Sequence, residues 1–437
     1  MRVTLADLSR LVLTFVITSA CSNSGPLLLE REDRASQEAA RESRGDAGDA
    51  SPASEPLADA SDAEVPSASD SSSSEEPADA STLPGEELAD ASTLLADAGP
   101  ASEPTAVQRV DPLTSGLVIP EDCEFTTGTV NAPRELRCTG LFEDVAEYRI
   151  ASGARPFSPG TELWSDGSVK SRWVYLPPGA VIDGSDPDEW DFPVGTRFWK
   201  EFVFEGMRIE TRYFEKIRSD RWARGVYLWN AEETAAMRED GGHEDYRGLG
   251  YTVPSTKECD ECHNGRKDRI LGFDLFGIAE QDARGVRLQD LLDEGSIDID
   301  VRPEEVQLPD ELDPVVRDAM SWIHVNCGSA CHNRSSDSEA QGTDLFMRLE
   351  YEQLRQLRSS NLGDLDTVKN TIGVGATTKE WVNEVRVVPG QPEQSLLFRL
   401  VSSRGDEQMP PLVSNVTSQD GVERIRKWIV GLAGEEE

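Results

Sequence analysis

Between Arg44 and Arg109 there is no lysine or arginine, and from Ser22 to Val107 the sequence is dominated by Ala, Ser, Asp, Glu and Pro without one aromatic residue. A segment of that kind cannot bury enough apolar surface to offset its ordering entropy, so any packed core is confined to the residues beyond it. The hexapeptide Ala78-Asp-Ala-Ser-Thr-Leu83 returns as Ala89-Asp-Ala-Ser-Thr-Leu94, a mark of low-complexity expansion. Residues 21–115 are therefore expected to form a disordered acidic linker, kept extended by proline and charge repulsion. Much of the net charge of -39 lies there, and a chain so acidic is a poor partner for nucleic acid, whose phosphates repel it.

Ahead of the linker, Arg2 and Arg10 precede the apolar run Leu11 to Thr18, then Ser19, Ala20 and Cys21. This is the layout of a secretory leader over residues 1–20, and its apolar run is far short of the roughly 20 residues that span a bilayer. Cys21 stands where a bacterial lipoprotein carries its acylated cysteine, although Thr18 occupies the position usually held by Leu. Two outcomes are open: a lipid anchor on Cys21, or simple cleavage after Ala20 to give a soluble periplasmic protein. Ser22 is not the aspartate of an inner-membrane retention signal, which favours the outer membrane, facing the periplasm or the cell surface. Of the seven cysteines, Cys21 and four in two C-terminal motifs leave Cys123 and Cys138. In an exported protein that pair is either a disulfide or two buried thiols.

Residues 116–250 hold six of the nine tryptophans, from Trp164 to Trp229. Thr196 to Phe204, Glu205-Gly206 and Met207 to Phe214 read as a hairpin, with further strands at Ser171 to Leu176 and Gly225 to Trp229. Pro177-Pro178-Gly179 and Asp183-Gly184 supply turns. The expectation is a mainly antiparallel sheet or sandwich with the aromatics as its core. Trp164-Ser165-Asp166-Gly167 is the segment most suited to an exposed binding loop. Residues 251–310 form a first attachment segment. In residues 311–437, Asp313-Pro314 caps a helix whose Val316, Met320 and Ile323 share a side, and Val422, Ile425, Ile429 and Leu432 stripe a terminal helix. The predicted class is α+β: a β domain, then a helical, cytochrome c-like domain.

Two motifs carry the chemistry. In Cys259-Asp260-Glu261-Cys262-His263, two thiols are spaced to add to the two vinyl groups on one edge of a porphyrin, and the adjacent imidazole reaches its iron. Zinc is the competing reading, but no second cysteine pair with knuckle spacing lies downstream. Cys327-Gly328-Ser329-Ala330-Cys331-His332 repeats the pattern with three intervening residues rather than two. Further on, Gln408-Met409-Pro410-Pro411 offers a proline-limited loop whose thioether suits the distal side of the second iron. The chain has four histidines; His263 and His332 are the proximal choices, so His243, His324, Met237 and Met320 are the options opposite His263. His243, between glycines and an acidic turn, is the one preferred, and a vacant or water-bound iron is the alternative.

These residues resemble a largely uncharacterised proteobacterial family of dihaem c-type cytochromes in which a tryptophan-rich N-terminal region precedes a cytochrome c domain. The resemblance spans about residues 150–434. It rests on Leu163 to Trp173, Phe192-Pro-Val-Gly-Thr196, Glu210-Thr-Arg212, Val253-Pro254, Leu271-Gly-Phe273, His324-Val-Asn-Cys327, Val388-Pro-Gly390 and Met409-Pro-Pro411, together with the first motif. It implies two covalent haems and electron transfer outside the cytoplasm. The expected function is therefore an exported electron carrier that serves a redox partner, protein or small molecule. Two alternatives stand beside it: a peroxidase-like oxidoreductase with one open iron, and a ligand-binding β domain with accessory haems.

Overall fold

The computed structural model describes residues 116–123, 132–357, 362–412 and 414–434. The leader, Cys21 and the acidic linker lie outside them. No described helix is long and apolar enough to cross a membrane.

Seven strands make one antiparallel sheet: β1 (Arg155–Ser158), β2 (Val169–Tyr175), β3 (Arg197–Phe204), β4 (Met207–Arg218), β5 (Arg221–Trp229), β6 (Ala236–Arg238) and β7 (Arg284–Gly285). Their order across the sheet is β7-β1-β2-β3-β4-β5-β6. The turn from β3 to β4 has φ of 49° at Glu205 and 80° at Gly206. Two consecutive left-handed residues match the twist of a tight hairpin, and glycine takes the second at no steric cost.

Side chains alternate across the sheet, so register decides which core each aromatic joins. Trp173, Trp199 and Tyr213 lie directly opposite one another on one face, and Val174, Phe198 and Phe214 do the same on the other. The first face is covered by the segment that precedes β1, through Leu117, Leu136, Leu141 and Phe142. There a disulfide joins Cys123 to Cys138 with Cα atoms 5.6 Å apart, and the Trp199 indole donates to Thr139 Oγ1 at 2.9 Å. The second face packs on the helical part.

In that part, α1 (Thr256–His263) carries the first motif, and α2 (Pro314–Ile323) leads into the second. Asp313 accepts the Val315 N–H at 2.8 Å and Pro314 occupies the first turn, while Val316, Met320 and Ile323 are buried. The C-terminal helix α3 (Gln419–Gly431) packs on α2. Contact is close because Gly421 has no side chain: a Cβ there would come within 2.3 Å of the Trp322 indole. Boundaries expected near residues 250 and 310 do not separate cores. β7 comes from the first attachment segment yet pairs with β1, and one apolar core runs from Phe157 through Phe273 and Val316 to Leu432. The class is that of an antiparallel sheet with a helical C-terminal part, joined across a shared interior.

A buried polar cluster fixes the join. Lys216 is 1 % exposed, and its ammonium donates to Asp191 at 2.5 Å and to Asp268 at 2.6 Å. Asp268, from the segment after α1, also accepts the Trp222 indole N–H at 2.7 Å and the Phe192 N–H at 2.6 Å. Truncation of one member of such a cluster strands a buried charge. Asp268→Ala is expected to cost about 3 kcal/mol by urea denaturation, and Asp191→Ala, at the exposed end of the cluster, less. Equal losses for the two would show that Asp268 has no special part in the join.

Candidate functional site

α1 begins in a reciprocal cap. Ser255 Oγ accepts the Glu258 N–H, and the Glu258 carboxylate accepts the Ser255 N–H. With the start fixed, Cys259, Cys262 and His263 fall at i, i+3 and i+4 and share one face of the helix. All three line a single cavity of about 150 Å³, with Phe198 and Phe214 of the sheet opposite. The His263 ring lies 4.8 Å from the Phe214 ring. Its Nδ1 is hydrogen-bonded to the carbonyl of Arg269, a residue held at φ 61°. A carbonyl only accepts, so Nδ1 carries the proton and Nε2 keeps its lone pair, the arrangement found behind metal-binding imidazoles. Burial holds His263 at about 4, hence neutral, and pushes the Cys259 thiol up to about 11.

The second motif meets the problem of its extra residue by widening the helix. α2 runs into a looser turn over His324–Gly328, where Ser329 N–H donates to the His324 carbonyl at 2.7 Å and His332 N–H to the Cys327 carbonyl at 2.9 Å. Both bonds span five residues rather than four, and local widening of this kind recurs at functional sites. Gly328 is obligatory there, because a Cβ would sit 2.5 Å from the backbone of Met347 and Arg348. Cys327, Cys331 and His332 consequently line one apolar cavity of about 330 Å³, and Met409 lines it too. The Met409 loop is pinned by Gln408, whose amide donates to the carbonyls of Pro410 and Ser414 at 2.9 Å each. His332 is neutral, held at about 4 by burial that the nearby Leu345 carbonyl only partly offsets, and its Nδ1 makes no hydrogen bond of normal geometry. Burial also takes the Cys327 and Cys331 thiols to about 12.

The two motifs touch. Cys331, Asn326 and Pro410 line both cavities, a Cβ on Gly265 would fall 1.8 Å from the Ala330 carbonyl oxygen, and Arg266 donates to Ser329 Oγ at 3.3 Å. No family model, curated protein or solved structure matches the chain. The site therefore has to be read from its own chemistry. Among the described residues no three His, Cys, Asp or Glu side chains converge as a metal-binding group. Each cavity offers two thiols, a neutral imidazole and a largely apolar surround, a donor set whose chemistry suits a flat tetrapyrrole.

The options opposite His263 lie elsewhere. His243 is exposed, bridged through its backbone to Val253 and set against the Tyr246 ring, and it does not line the cavity. Met237 is exposed and Met320 is buried between helices. His324 is 3 % exposed, accepts the Leu349 N–H on Nδ1 at 2.9 Å and meets the Phe276 ring at 4.5 Å. Apart from His263, the first cavity has no histidine or methionine among the described residues that line it. The Trp164–Gly167 loop is a clasp as well as a cavity wall. Asp166 accepts the Asn415 and Val416 N–H groups at 2.9 and 3.0 Å, and the Trp164 indole donates to the Val416 carbonyl at 2.8 Å. Sequence reading missed Arg172, Lys200 and Arg212, which also line the first cavity.

Burial lowers His324 from 6.5 to about 3. Below pH about 6.5 the unfolded chain takes up a proton that the folded imidazole refuses, so this contribution is complete above that pH and is lost as pH falls towards 3. His324→Asn should flatten the acid limb of the stability curve, by on the order of 3 kcal/mol between pH about 7 and about 4. Urea midpoints measured across that range check it; parallel curves for variant and parent would refute the assignment.

Proposed function

We propose that the protein is an exported dihaem c-type cytochrome that passes single electrons to or from a redox partner. Cys259 and Cys262 would tether one haem with His263 as proximal ligand. Cys327 and Cys331 would tether the other between His332 and Met409. One observation carries the reading: two sets of paired thiols and a neutral imidazole line cavities that share Cys331, Asn326 and Pro410. Porphyrins held in adjoining cavities exchange electrons without a mobile carrier. The haem supplies the redox chemistry, and the chain's own part is to hold it, exclude water and set its potential. The packing of α2 against α3 supports a cytochrome c-like arrangement of the helical part. The leader and Cys21 support export and lipid anchoring at the outer membrane, with the acidic linker as a spacer from the surface.

A second reading has its own support. The first cavity offers His263 but, among the described residues, no second histidine or methionine, and an iron without a strong sixth ligand can take up a small molecule. The second haem, ligated by His332 and Met409, would then feed or drain the first, which moves the protein from carrier towards oxidoreductase.

Protein matured in a host with haem-attachment machinery should give two covalent haems by pyridine haemochrome and by mass, and one after Cys259→Ala with Cys262→Ala. A colourless chain at its bare peptide mass would refute the proposal. Met409→Ala should lower one midpoint potential, since a methionine ligand raises it, and leave the other unchanged.

A further inference from the structure

Arg172, Lys200 and Arg212 occupy one register position on three neighbouring strands. Arg172 pairs with Lys200 across β2 and β3, and Lys200 pairs with Arg212 across β3 and β4. Paired residues project to the same face, so three cations stand in a row beside the first cavity, which all three line. Like charges set directly opposite one another destabilise a sheet. The carboxylates nearby pair directly only with the ends of the row, and the centre feels Glu162 at longer range. Glu210 takes two hydrogen bonds from Arg212, at 3.0 and 2.7 Å, and a third from the Tyr251 hydroxyl at 2.8 Å. Glu162, 40 % exposed, reaches Arg172 at 3.4 Å and Lys170 at 3.5 Å. The two carboxylates that line the cavity itself are already engaged: Asp166 by the Asn415 and Val416 N–H groups, Glu258 by the N–H and hydroxyl of Ser255.

No described carboxylate touches the centre of the row. Lys200 forms no hydrogen bond or ion pair among the described residues, and its ammonium rests over the Phe202 ring at 4.9 Å. Arg172 has a side chain only 4 % exposed, and its Nη1 is buried without a partner. Burial and the flanking guanidinium groups push the Lys200 ammonium well below the usual lysine range, a strain that an anion alongside would reverse.

We infer that the row Arg172–Lys200–Arg212 is an oxyanion site in the first cavity, built to take a carboxylate or a group of similar shape. Resting on the dihaem reading, it has two sources of ligand with the same chemistry: a propionate of the first haem, or a small diffusible oxyanion beside an open iron. Planar guanidinium forks and an ammonium between them match paired oxygens in either case.

The test uses the full-length, haem-loaded protein with Lys200→Gln and Arg172→Gln, the unchanged spectrum of the second haem reporting that each variant is folded. In one arm the ferric protein is titrated with inorganic phosphate and with nitrite while the Soret band of the first haem is followed. Saturable binding weakened at least tenfold in both variants establishes the site and identifies a diffusible ligand. In the other arm the two midpoint potentials are measured. A fall in the first alone, in both variants and without phosphate or nitrite binding to the parent, establishes the site with propionate as its ligand, because loss of a cation favours the ferric state. Variants indistinguishable from the parent in both arms overturn the inference. So does a low-spin to high-spin change of the first haem in Lys200→Gln alone, which would make Lys200 an iron ligand. Failure of the dihaem reading looks different, since the protein would carry no colour.

Discussion

The contact on which the arrangement depends is the seating of the turn after the first motif against the spacer of the second. Gly265 lies so close to the Ala330 carbonyl that no larger residue fits. The neighbouring Arg266 is buried, and its guanidinium reaches Ser329, Asp274 and the carbonyl of Asp188. Arg348, which lies beyond the second motif, meets the same Asp188-Glu189 pair. Glu189 thus serves two guanidinium groups at once, which lets two buried cations from different segments share a loop of the β region.

The two motifs solve one geometrical requirement by different means. In α1 regular helical spacing suffices, because positions i, i+3 and i+4 already share a face. The second motif has one residue too many, and two five-residue hydrogen bonds absorb it. Small residues make this feasible: Gly328 against the backbone of residues 347 and 348, and Ala330 against Gly265. The three-residue spacer of the second motif is also the surface through which the motifs meet.

Much of this was legible in the chain. The hairpin at Glu205-Gly206, the cap at Asp313-Pro314 and the buried stripes of α2 and α3 follow from periodicity and turn chemistry that act within a few residues. The cavity of Cys327, Cys331 and His332 also gathers Met409, as a fixed proline loop suggested. What escaped was set by long-range pairing. The two-residue strand β7 has no pattern of its own, and nothing local reveals that it closes the sheet beside β1. The cation row is written across three strands whose alignment depends on the β3–β4 turn and on β2. The one local trace is parity: Arg172, Lys200 and Arg212 each sit two residues from Val174, Phe198 and Phe214, on the side of the strand that faces the interior. His243, attractive for its glycine neighbours, is drawn instead into a backbone bridge with Val253 on the surface.

Asp166 and Trp164 hold the backbone of residues 415 and 416, a few positions beyond the Met409 loop and just ahead of α3. The sheet thereby steadies a segment some 250 positions further along the chain. Each half therefore leans on the other: a C-terminal fragment expressed alone would lack the clamp on residues 415 and 416, and a grafted sheet would carry an idle acidic hook. Shuffling this architecture by recombination at the helical boundary would break it, so the two parts are expected to travel through evolution together.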